Sequence, residues 1–233
     1  MSFLGFITAR GGSKGIARKN LALLGGRPLI QYTVDAALAS KNLERVFLSS
    51  DDPGIVEVCR ALGLEVPYLR PAHLAADDSP VIDCVLHGLD WLAAEQGCTP
   101  GAVVLLQPTS PLRTGADIDA AVAAYQASGA ESLVTVSAMV EHPFECIKRT
   151  KAGWSFLEKP AREAARRQDY GDAEFVFMNG AVYVTSTAFL RRERRFVLEG
   201  QTALHEVSQE CGLDIDTPFD LALCEAWLAA RAG

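Results

Sequence analysis

Short apolar runs alternate with segments of helical periodicity along most of the chain, and this alternation constrains the fold more than any other feature. Residues 3–9 and 102–106 are continuous apolar runs, as expected of strands that are buried on both faces. Between residues 81 and 94, apolar side chains recur at helical spacing. Strands that alternate with helices predict a Rossmann-like α/β fold, with a mostly parallel sheet covered by helices on both faces.

Turn residues bound the expected elements. We expect strands at residues 3–9, 45–50, 65–69, 102–106, 133–137 and 180–184, and helices at residues 29–39, 55–62, 81–94, 117–128 and 218–230. The pattern is lost between residues 139 and 178, where charged residues are dense. The apolar residues in that stretch favour an ordered protrusion, such as a hairpin that packs on a partner, over a disordered loop. The sequence therefore predicts one domain over residues 1–233, with 139–178 as a protruding dimerisation segment.

Composition argues against several classes of protein. The 233 residues are 49% hydrophobic, too many for a disordered chain. No apolar stretch reaches the roughly 18 residues of a membrane span, and the N-terminus lacks the features of a signal peptide. A net charge of −7 argues against a nucleic-acid-binding face, and six cysteines without a C-x-x-C pair argue against a zinc site. We expect a cytoplasmic protein with reduced cysteines and neither nucleic acid nor membrane as a partner.

A basic, glycine-rich loop follows the first predicted strand at residues 9–20. It contains three glycines, and its four cations are Arg10, Lys14, Arg18 and Lys19. The loop lies at the carboxyl end of the sheet, where open α/β folds bind ligands, and its backbone N–H groups can surround an anion. It matches neither the Walker A pattern nor the dinucleotide G-x-G-x-x-G pattern. The loop therefore predicts a polyphosphate site, and the alternative is a solvated basic turn.

Asp214 and Asp216 are two residues apart, so on an extended segment both carboxylates lie on one face. A divalent cation relieves their repulsion, and Mg²⁺ suits a site of one or two carboxylates completed by phosphate oxygens. The alternative is a cap for the helix that begins near Pro218, made by Asp216 or Thr217. The residues alone leave these two interpretations open.

Three further places carry polar groups with ordinary structural alternatives. Gln107 begins a proline-stiffened loop after the strand at 102–106, and it is either a ligand contact or part of a plain strand-to-helix connection. Asn179 and Tyr183 flank a strand-like run, and they are either ligand contacts or an ordinary turn asparagine and core tyrosine. Ser79 precedes Pro80, as a helix N-cap would.

Four motifs in order resemble the acylneuraminate cytidylyltransferases, also called CMP-sialic acid synthetases. They are residues 9–20 with 25–30, residues 107–113, residues 179–183 and residues 214–217. The resemblance covers nearly the whole chain. It implies an enzyme that couples CTP to a sialic-acid-like nonulosonic acid, of the N-acylneuraminate, legionaminate or pseudaminate type, and releases pyrophosphate.

The resemblance also implies roles for single residues. Catalytic roles fall to Arg10, Lys19, Asp214 and Asp216, the two aspartates holding Mg²⁺ or Mn²⁺. Nucleotide contacts fall to Arg10, Gly12, Ser13, Lys14, Lys19, Asn20, Arg70, Ser79 and Gln107. Sugar contacts fall to Gln107, Arg167, Asn179, Tyr183 and Phe196. The family is dimeric, so a homodimer is implied in which Arg167 reaches the neighbour's sugar site.

The sequence departs from the family pattern in places that concern the sugar. Phe177 and Met178 stand before Asn179, where the family often has a polar, basic or proline residue. Val197 follows Phe196, where some members have a second aromatic residue. Two alternatives remain open: a sister nucleotidyltransferase that uses another sugar or nucleotide, and a non-catalytic nucleotide-binding regulator.

Overall fold

Strands and helices alternate along most of the chain. The computed structural model describes residues 1–159 and 175–232. Its strands are β1 (Phe3–Thr8), β2 (Leu23–Leu24), β3 (Arg27–Pro28), β4 (Arg45–Ser49), β5 (Ala102–Leu106), β6 (Ser132–Ala138), β7 (Ile147–Thr150), β8 (Gly153–Phe156), β9 (Val176–Ser186) and β10 (Thr202–Glu206). Its helices are α1 (Leu29–Ala39), α2 (Pro53–Ala61), α3 (Val81–Gln96), α4 (Gly115–Ser128), α5 (Thr187–Glu193) and α6 (Pro218–Ala232).

A six-stranded sheet in the order β10-β6-β9-β5-β1-β4 forms the centre of the fold. Every neighbouring pair is parallel except the two pairs that β9 makes with β5 and β6. The predicted mostly parallel α/β sheet is thus confirmed. Phe3 of β1 lies opposite Ala102 of β5, so the loops that follow both strands emerge at the same edge.

Helices cover both faces of the sheet, as the buried strands require. On one face α1, α2 and α4 contribute Ile30, Ile55 and Val122 to a common core. On the other face α3 and α5 contribute Leu89 and Leu190. None of the described helices is long and apolar enough to cross a membrane.

Residues 65–69 have no regular secondary structure, so the strand predicted there is wrong. Pro67 has no N–H to donate to a neighbouring strand. Tyr68 is nevertheless buried, so the apolar pattern reflects burial and not pairing. A backbone hydrogen bond of 2.8 Å from Arg70 to the carbonyl of Ser50 brings the end of this stretch to the sheet.

The strand predicted at residues 180–184 is longer than expected, because β9 begins at Val176. A β-bulge interrupts its pairing with β6, where the register moves from Val134 opposite Tyr183 to Val136 opposite Met178. The polar and glycine residues of the bulge hide the alternating pattern of the strand. The sequence also did not predict α5 and β10.

The segment 139–178 contains an antiparallel hairpin of β7 and β8, in which Ile147 lies opposite Phe156. An ordered hairpin is what the sequence predicts for this segment. The side chains of Trp154 and Phe156 are in edge contact and exposed to solvent. Residues 160–174 of the segment lie outside the described residues.

Candidate active site

A cleft of about 400 Å³ opens at the carboxyl edge of the sheet, beside the loops that follow β1 and β5. Ten of the residues predicted from sequence line it: Arg10, Gly12, Ser13, Lys14, Lys19, Asn20, Arg70, Ser79, Gln107 and Asp216. These residues come from distant parts of the chain, so the fold gathers most of the predicted nucleotide site into one place.

The basic loop after β1 is held by its own side chains. The Lys19 N–H donates to Ser13 Oγ at 3.1 Å, and Asn20 Nδ2 donates to the Arg10 carbonyl at 2.9 Å. Gly15 lies so close to Asp216 that a Cβ atom would stand 2.1 Å from the Asp216 carbonyl oxygen, and only glycine permits this approach. The loop is therefore fixed against the segment that carries the predicted metal ligands.

Two cations of this loop share one carboxylate. Arg10 Nη1 lies 2.8 Å from Asp77 Oδ1, and Lys14 Nζ lies 3.1 Å from Asp77 Oδ2. Hydrogen bonds from Lys14 and Arg10 lower the pKa of Asp77. Arg18 turns away from the cleft toward Asp52, at 3.3 Å, so three of the four clustered cations face the cleft.

Lys19 links the basic loop to the acidic segment. Its Nζ donates to Asp216 Oδ1 at 2.9 Å and to the Ile215 carbonyl at 2.8 Å. The Lys19 side chain is only 14% exposed, whereas that of Asp216 is 72% exposed. Lys19 thus lies against Asp216 in this structure, while the Asp216 carboxylate keeps an open side.

The start of α6 separates the two interpretations of the acidic pair. Asp220 Oδ2 accepts the Thr217 N–H at 2.7 Å, and Thr217 Oγ1 accepts the Asp220 N–H at 3.4 Å. Thr217 and Asp220 therefore cap the helix reciprocally. The Asp216 carboxylate faces Lys19 and does not cap α6.

Asp214 lies next to the cleft and not in its wall. Burial of the carboxyl raises the pKa of Asp214, a hydrogen bond with Thr109 opposes this and Asp216 adds to it, although Asp214 as a whole is an exposed residue. The Ile215 N–H donates to the Thr109 carbonyl at 2.8 Å, which ties this segment to the loop after β5. Burial raises the pKa of Tyr183 and the charge of Asp214 adds to the effect, so Asp214 lies near one of the predicted sugar contacts.

The carboxylates of Asp214 and Asp216 fit Mg²⁺ or Mn²⁺ only as part of the ion's ligands. The Asp216 carboxylate is close enough to Asp214 for its charge to raise the pKa of the Asp214 carboxyl further, beyond the effect of burial. Within residues 1–159 and 175–232, no three His, Cys, Asp or Glu side chains gather in metal-binding geometry. Such a pair suits a cation that takes its remaining ligands from phosphate oxygens and water.

The far end of the cleft is formed by Arg70 and Ser79. Arg70 is buried, and its Nε donates to Ser49 Oγ at 3.0 Å. Ser79 Oγ donates to the His73 carbonyl at 2.8 Å, and Pro80 occupies the N-cap position of α3. The helix-cap alternative for Ser79 is therefore wrong.

The predicted sugar contacts form a second group beside the cleft. The rings of Tyr183 and Phe196 are 5.7 Å apart, and Tyr183 is largely buried, where burial raises its pKa. Asn179 Oδ1 accepts hydrogen bonds from Thr135 Oγ1 at 2.8 Å and from a backbone N–H of the bulge. None of these residues is among the described residues that line the cleft, and Arg167 lies outside the described residues.

A family model described as Cytidylyltransferase matches residues 4–210 of this chain. The chain belongs to the cytidylyltransferase family. The resemblance that the four motifs indicate is therefore confirmed, and the chain is a nucleotidyltransferase.

Relatives of this cytidylyltransferase span most of its length. The CMP-N,N'-diacetyllegionaminic acid synthase of Legionella pneumophila is 35% identical over 97% of this chain and 95% of its own length. An N-acylneuraminate cytidylyltransferase of Streptococcus agalactiae is 31% identical over 92% of this chain and 50% of its own length. A solved CMP:2-keto-3-deoxy-manno-octonic acid synthetase complexed with CTP has a TM-score of 0.72 over 99% of this chain and 100% of that chain, at 16% identity. The last likeness shows the fold alone.

Sequence reasoning missed two residues at the site of this cytidylyltransferase. No pattern in the sequence indicates that Asp77, two residues before the predicted nucleotide contact Ser79, pairs with Arg10. Thr135 bonds to Asn179 from the neighbouring strand β6, and no local pattern of the sequence indicates that contact. Both residues contact partners that are far away in the sequence.

Proposed function

We propose that this cytidylyltransferase transfers CMP from CTP to a nonulosonic acid of the N-acylneuraminate, legionaminate or pseudaminate type. The observation that carries the proposal is the cleft in which Arg10, Lys14 and Lys19 converge opposite Asp216. The names of the Legionella and Streptococcus relatives support CMP transfer to sugars of this class.

Arg10, Lys14 and Lys19 would neutralise the outer phosphates of CTP. The way in which Arg10 and Lys14 hold the two oxygens of Asp77 supports this role, because a carboxylate presents oxygens much as a phosphate does. The chain as a whole is acidic, so the positive charge is concentrated where a polyphosphate would bind.

Asp214 and Asp216 would hold Mg²⁺ or Mn²⁺ beside the α-phosphate. When bound, the ion supplies the positive charge that offsets the charge developing there as the bond to the sugar forms. Lys19 now occupies one oxygen of Asp216, and we expect it to turn toward a phosphate when CTP is present.

The proposed reaction is a direct displacement at the α-phosphorus. The anomeric hydroxyl of the 2-keto sugar gives up its proton and forms the new P–O bond, while the bond to the β-phosphate breaks and pyrophosphate leaves. Transfer of this kind depends mainly on positioning and on charge neutralisation. Gln107 stands in the cleft wall, where it would contact nucleotide or sugar, and Arg113 links its carbonyl to that of Ala181 in the bulge that contains Asn179. Asn179, Tyr183 and Phe196 would bind the sugar.

We also propose a homodimer in which Arg167 contributes to the neighbour's sugar site. The apolar side chains of Trp154, Phe177 and Trp227 support this proposal, because they are 65%, 57% and 39% exposed. Phe177 and Trp227 line a second, mostly apolar cavity of about 630 Å³ between the protruding segment and α6. A partner that covers this surface would remove it from water.

We place the reaction in the cytoplasm, where nucleoside triphosphates are available. All six cysteines are free thiols, which is the state that a reducing compartment maintains.

Pyrophosphate release tests the proposal directly. The purified chain is incubated with Mg²⁺, each of the four nucleoside triphosphates and a panel of nonulosonic acids, with a sugar 1-phosphate in parallel. We expect release only with CTP and a nonulosonic acid. Release with a sugar 1-phosphate or with another nucleotide would instead identify a sister nucleotidyltransferase. Tight CTP binding without release with any sugar would identify a nucleotide-binding regulator.

A further inference from the structure

The bulge in β9 contains Asn179 and is followed directly by Tyr183, which are two of the predicted sugar contacts, and it is an unusually large interruption of the strand. The four residues 179–182 of β9 stand opposite the single residue Thr135 of β6. Gly180 adopts a φ of 65°, and a Cβ atom there would lie 2.4 Å from the hydroxyl oxygen of Tyr183. Only glycine lets the chain fold back this closely over the tyrosine.

Side chains satisfy the backbone groups that the bulge removes from the ladder. Thr135 Oγ1 accepts the Val182 N–H at 3.0 Å and donates to Asn179 Oδ1 at 2.8 Å. Asn179 Oδ1 also accepts the Ala181 N–H at 3.1 Å. The Ala181 carbonyl accepts a bond of 2.6 Å from Arg113 Nη1. The shape of the bulge is thus set by Thr135 from one side and by Arg113 from the other.

Arg113 connects the bulge to the nucleotide side of the site. It is 2% exposed, and its Nη1 donates at 3.3 Å to the carbonyl of Gln107, a residue of the cleft wall. Its Nη2 donates to Thr33 Oγ1 of α1 at 2.8 Å. Burial lowers the pKa of Arg113 to about 10, so the guanidinium remains charged at neutral pH.

Burying a charged guanidinium costs free energy, because the charge is removed from water. The acceptors of its described hydrogen bonds are two carbonyl oxygens and one hydroxyl, all of them uncharged. A planar group with several donors can hold two loops at a fixed separation, which a lysine or an apolar residue cannot do. The two carbonyls that Arg113 bridges belong to Gln107 and Ala181, one on each side of the site.

We propose that Arg113 and Thr135 are positioning residues, which set the distance between the nucleotide subsite at Gln107 and the sugar subsite at Asn179 and Tyr183. The proposal rests on the proposed function. A displacement of about 1 Å between reacting groups can slow a reaction roughly a hundredfold. Loss of either residue would therefore impair use of the sugar, while CTP binding to the basic loop would persist.

Thr135→Val tests the proposal, because it keeps the shape of the side chain and removes the hydroxyl. We expect kcat/KM for the sugar to fall at least about tenfold, while the dissociation constant of CTP, measured by calorimetry, stays within about twofold of the wild-type value. Thr135→Ser, which restores the hydroxyl, should recover most of the loss. A merely structural role would not separate sugar use from CTP binding in this way.

Thr185→Val is the matched control. Thr185 is a buried threonine of β9, the strand that pairs with β6, and its hydroxyl has no hydrogen-bond partner among the described residues. The same substitution there should leave kcat/KM for the sugar and the affinity for CTP unchanged.

Arg113→Lys provides a second variant, which retains the charge and loses the bridging geometry. It should reproduce the loss in sugar use, with folding checked by thermal melting. Wild-type kinetics in Thr135→Val, or an equal loss of CTP binding and sugar use, would overturn the positioning role alone. A wild-type protein that releases no pyrophosphate with any sugar would refute the proposed function itself.

Discussion

Asp216→Asn and Thr217→Ala should have opposite effects, because the proposed metal binding falls to Asp216 and the cap of α6 falls to Thr217. The Asp216 carboxylate lies 2.9 Å from Lys19 Nζ, and it faces the cleft. Thr217 and Asp220 complete the cap of α6 without it. If Asp216 were only a cap, asparagine would replace it almost without loss, since both residues cap well.

The magnitudes follow from these contacts. Removing one positioned group that stabilises transition-state charge costs about 3 kcal/mol of barrier, which is a loss of about a hundredfold in turnover. The ion pair of Asp216 with Lys19 adds less than about 1 kcal/mol to stability, because the Asp216 side chain is 72% exposed. Removing the Thr217 cap costs about 1 kcal/mol of stability and touches no proposed ligand. We therefore expect Asp216→Asn to be stable and inactive, and Thr217→Ala to be active and less stable.

The assay measures pyrophosphate release over a Mg²⁺ titration, with and without chelator, next to thermal melting of each variant. Turnover of Asp216→Asn within about twofold of the wild-type rate would refute the metal-ligand role, since a hundredfold loss is expected. So would full wild-type turnover after complete removal of the metal. A hundredfold loss in Thr217→Ala would show that the two roles are not separate.

Further predictions concern charge and assembly. Asp214→Asn should abolish turnover and yet raise the melting temperature at neutral pH. The reason is that the raised pKa of Asp214 means that the folded state disfavours the charged carboxylate. An unchanged or lower melting temperature at pH 7 would contradict this reasoning. Asp77→Asn should bind pyrophosphate more tightly in calorimetry, because the carboxylate that competes for Arg10 is gone, whereas Asp78→Asn is the control and should not change binding. Light scattering at micromolar concentration should give a dimer, and Trp154→Asp should shift it toward monomer; a stable wild-type monomer would exclude the proposed assembly.

The cleft at the carboxyl edge of the sheet is the part of the candidate site that the sequence predicts best. Glycines and cations in residues 9–20 follow a buried strand, and a parallel sheet places such a loop at its carboxyl edge. Gln107 follows the adjacent strand β5, so the same rule brings it to the same cleft. A local pattern and one rule of topology are therefore sufficient to predict that these residues line one cleft.

Other features depend on contacts that no local pattern contains. Residues 65–69 have the apolar content of a strand, but Pro67 prevents the pairing. Asp77 and Arg10 are neighbours in the cleft but lie far apart in the sequence, so their contact exists only in the folded chain. Thr135 bonds to the bulge because the register of β6 and β9 shifts opposite it. The sequence of either strand alone does not determine the register between two distant strands.

The proposed function divides the protein into parts that would set the chemistry and parts that would set the choice of sugar. The proposed phosphate and metal contacts lie on the loop after β1 and on the segment that contains Asp216, and these are tied together by Lys19 and by the close approach of Gly15. The proposed sugar contacts lie on β9 and beyond, where Tyr183 packs on Phe196. The departures from the family pattern, at 177–178 and 197, stand beside these sugar contacts in the sequence. We therefore expect that substitutions near the proposed sugar contacts change the acceptor while the cleft that would bind the triphosphate stays the same. The bonds of Arg113 to the carbonyls of Gln107 and Ala181 would keep the two ends at a fixed separation.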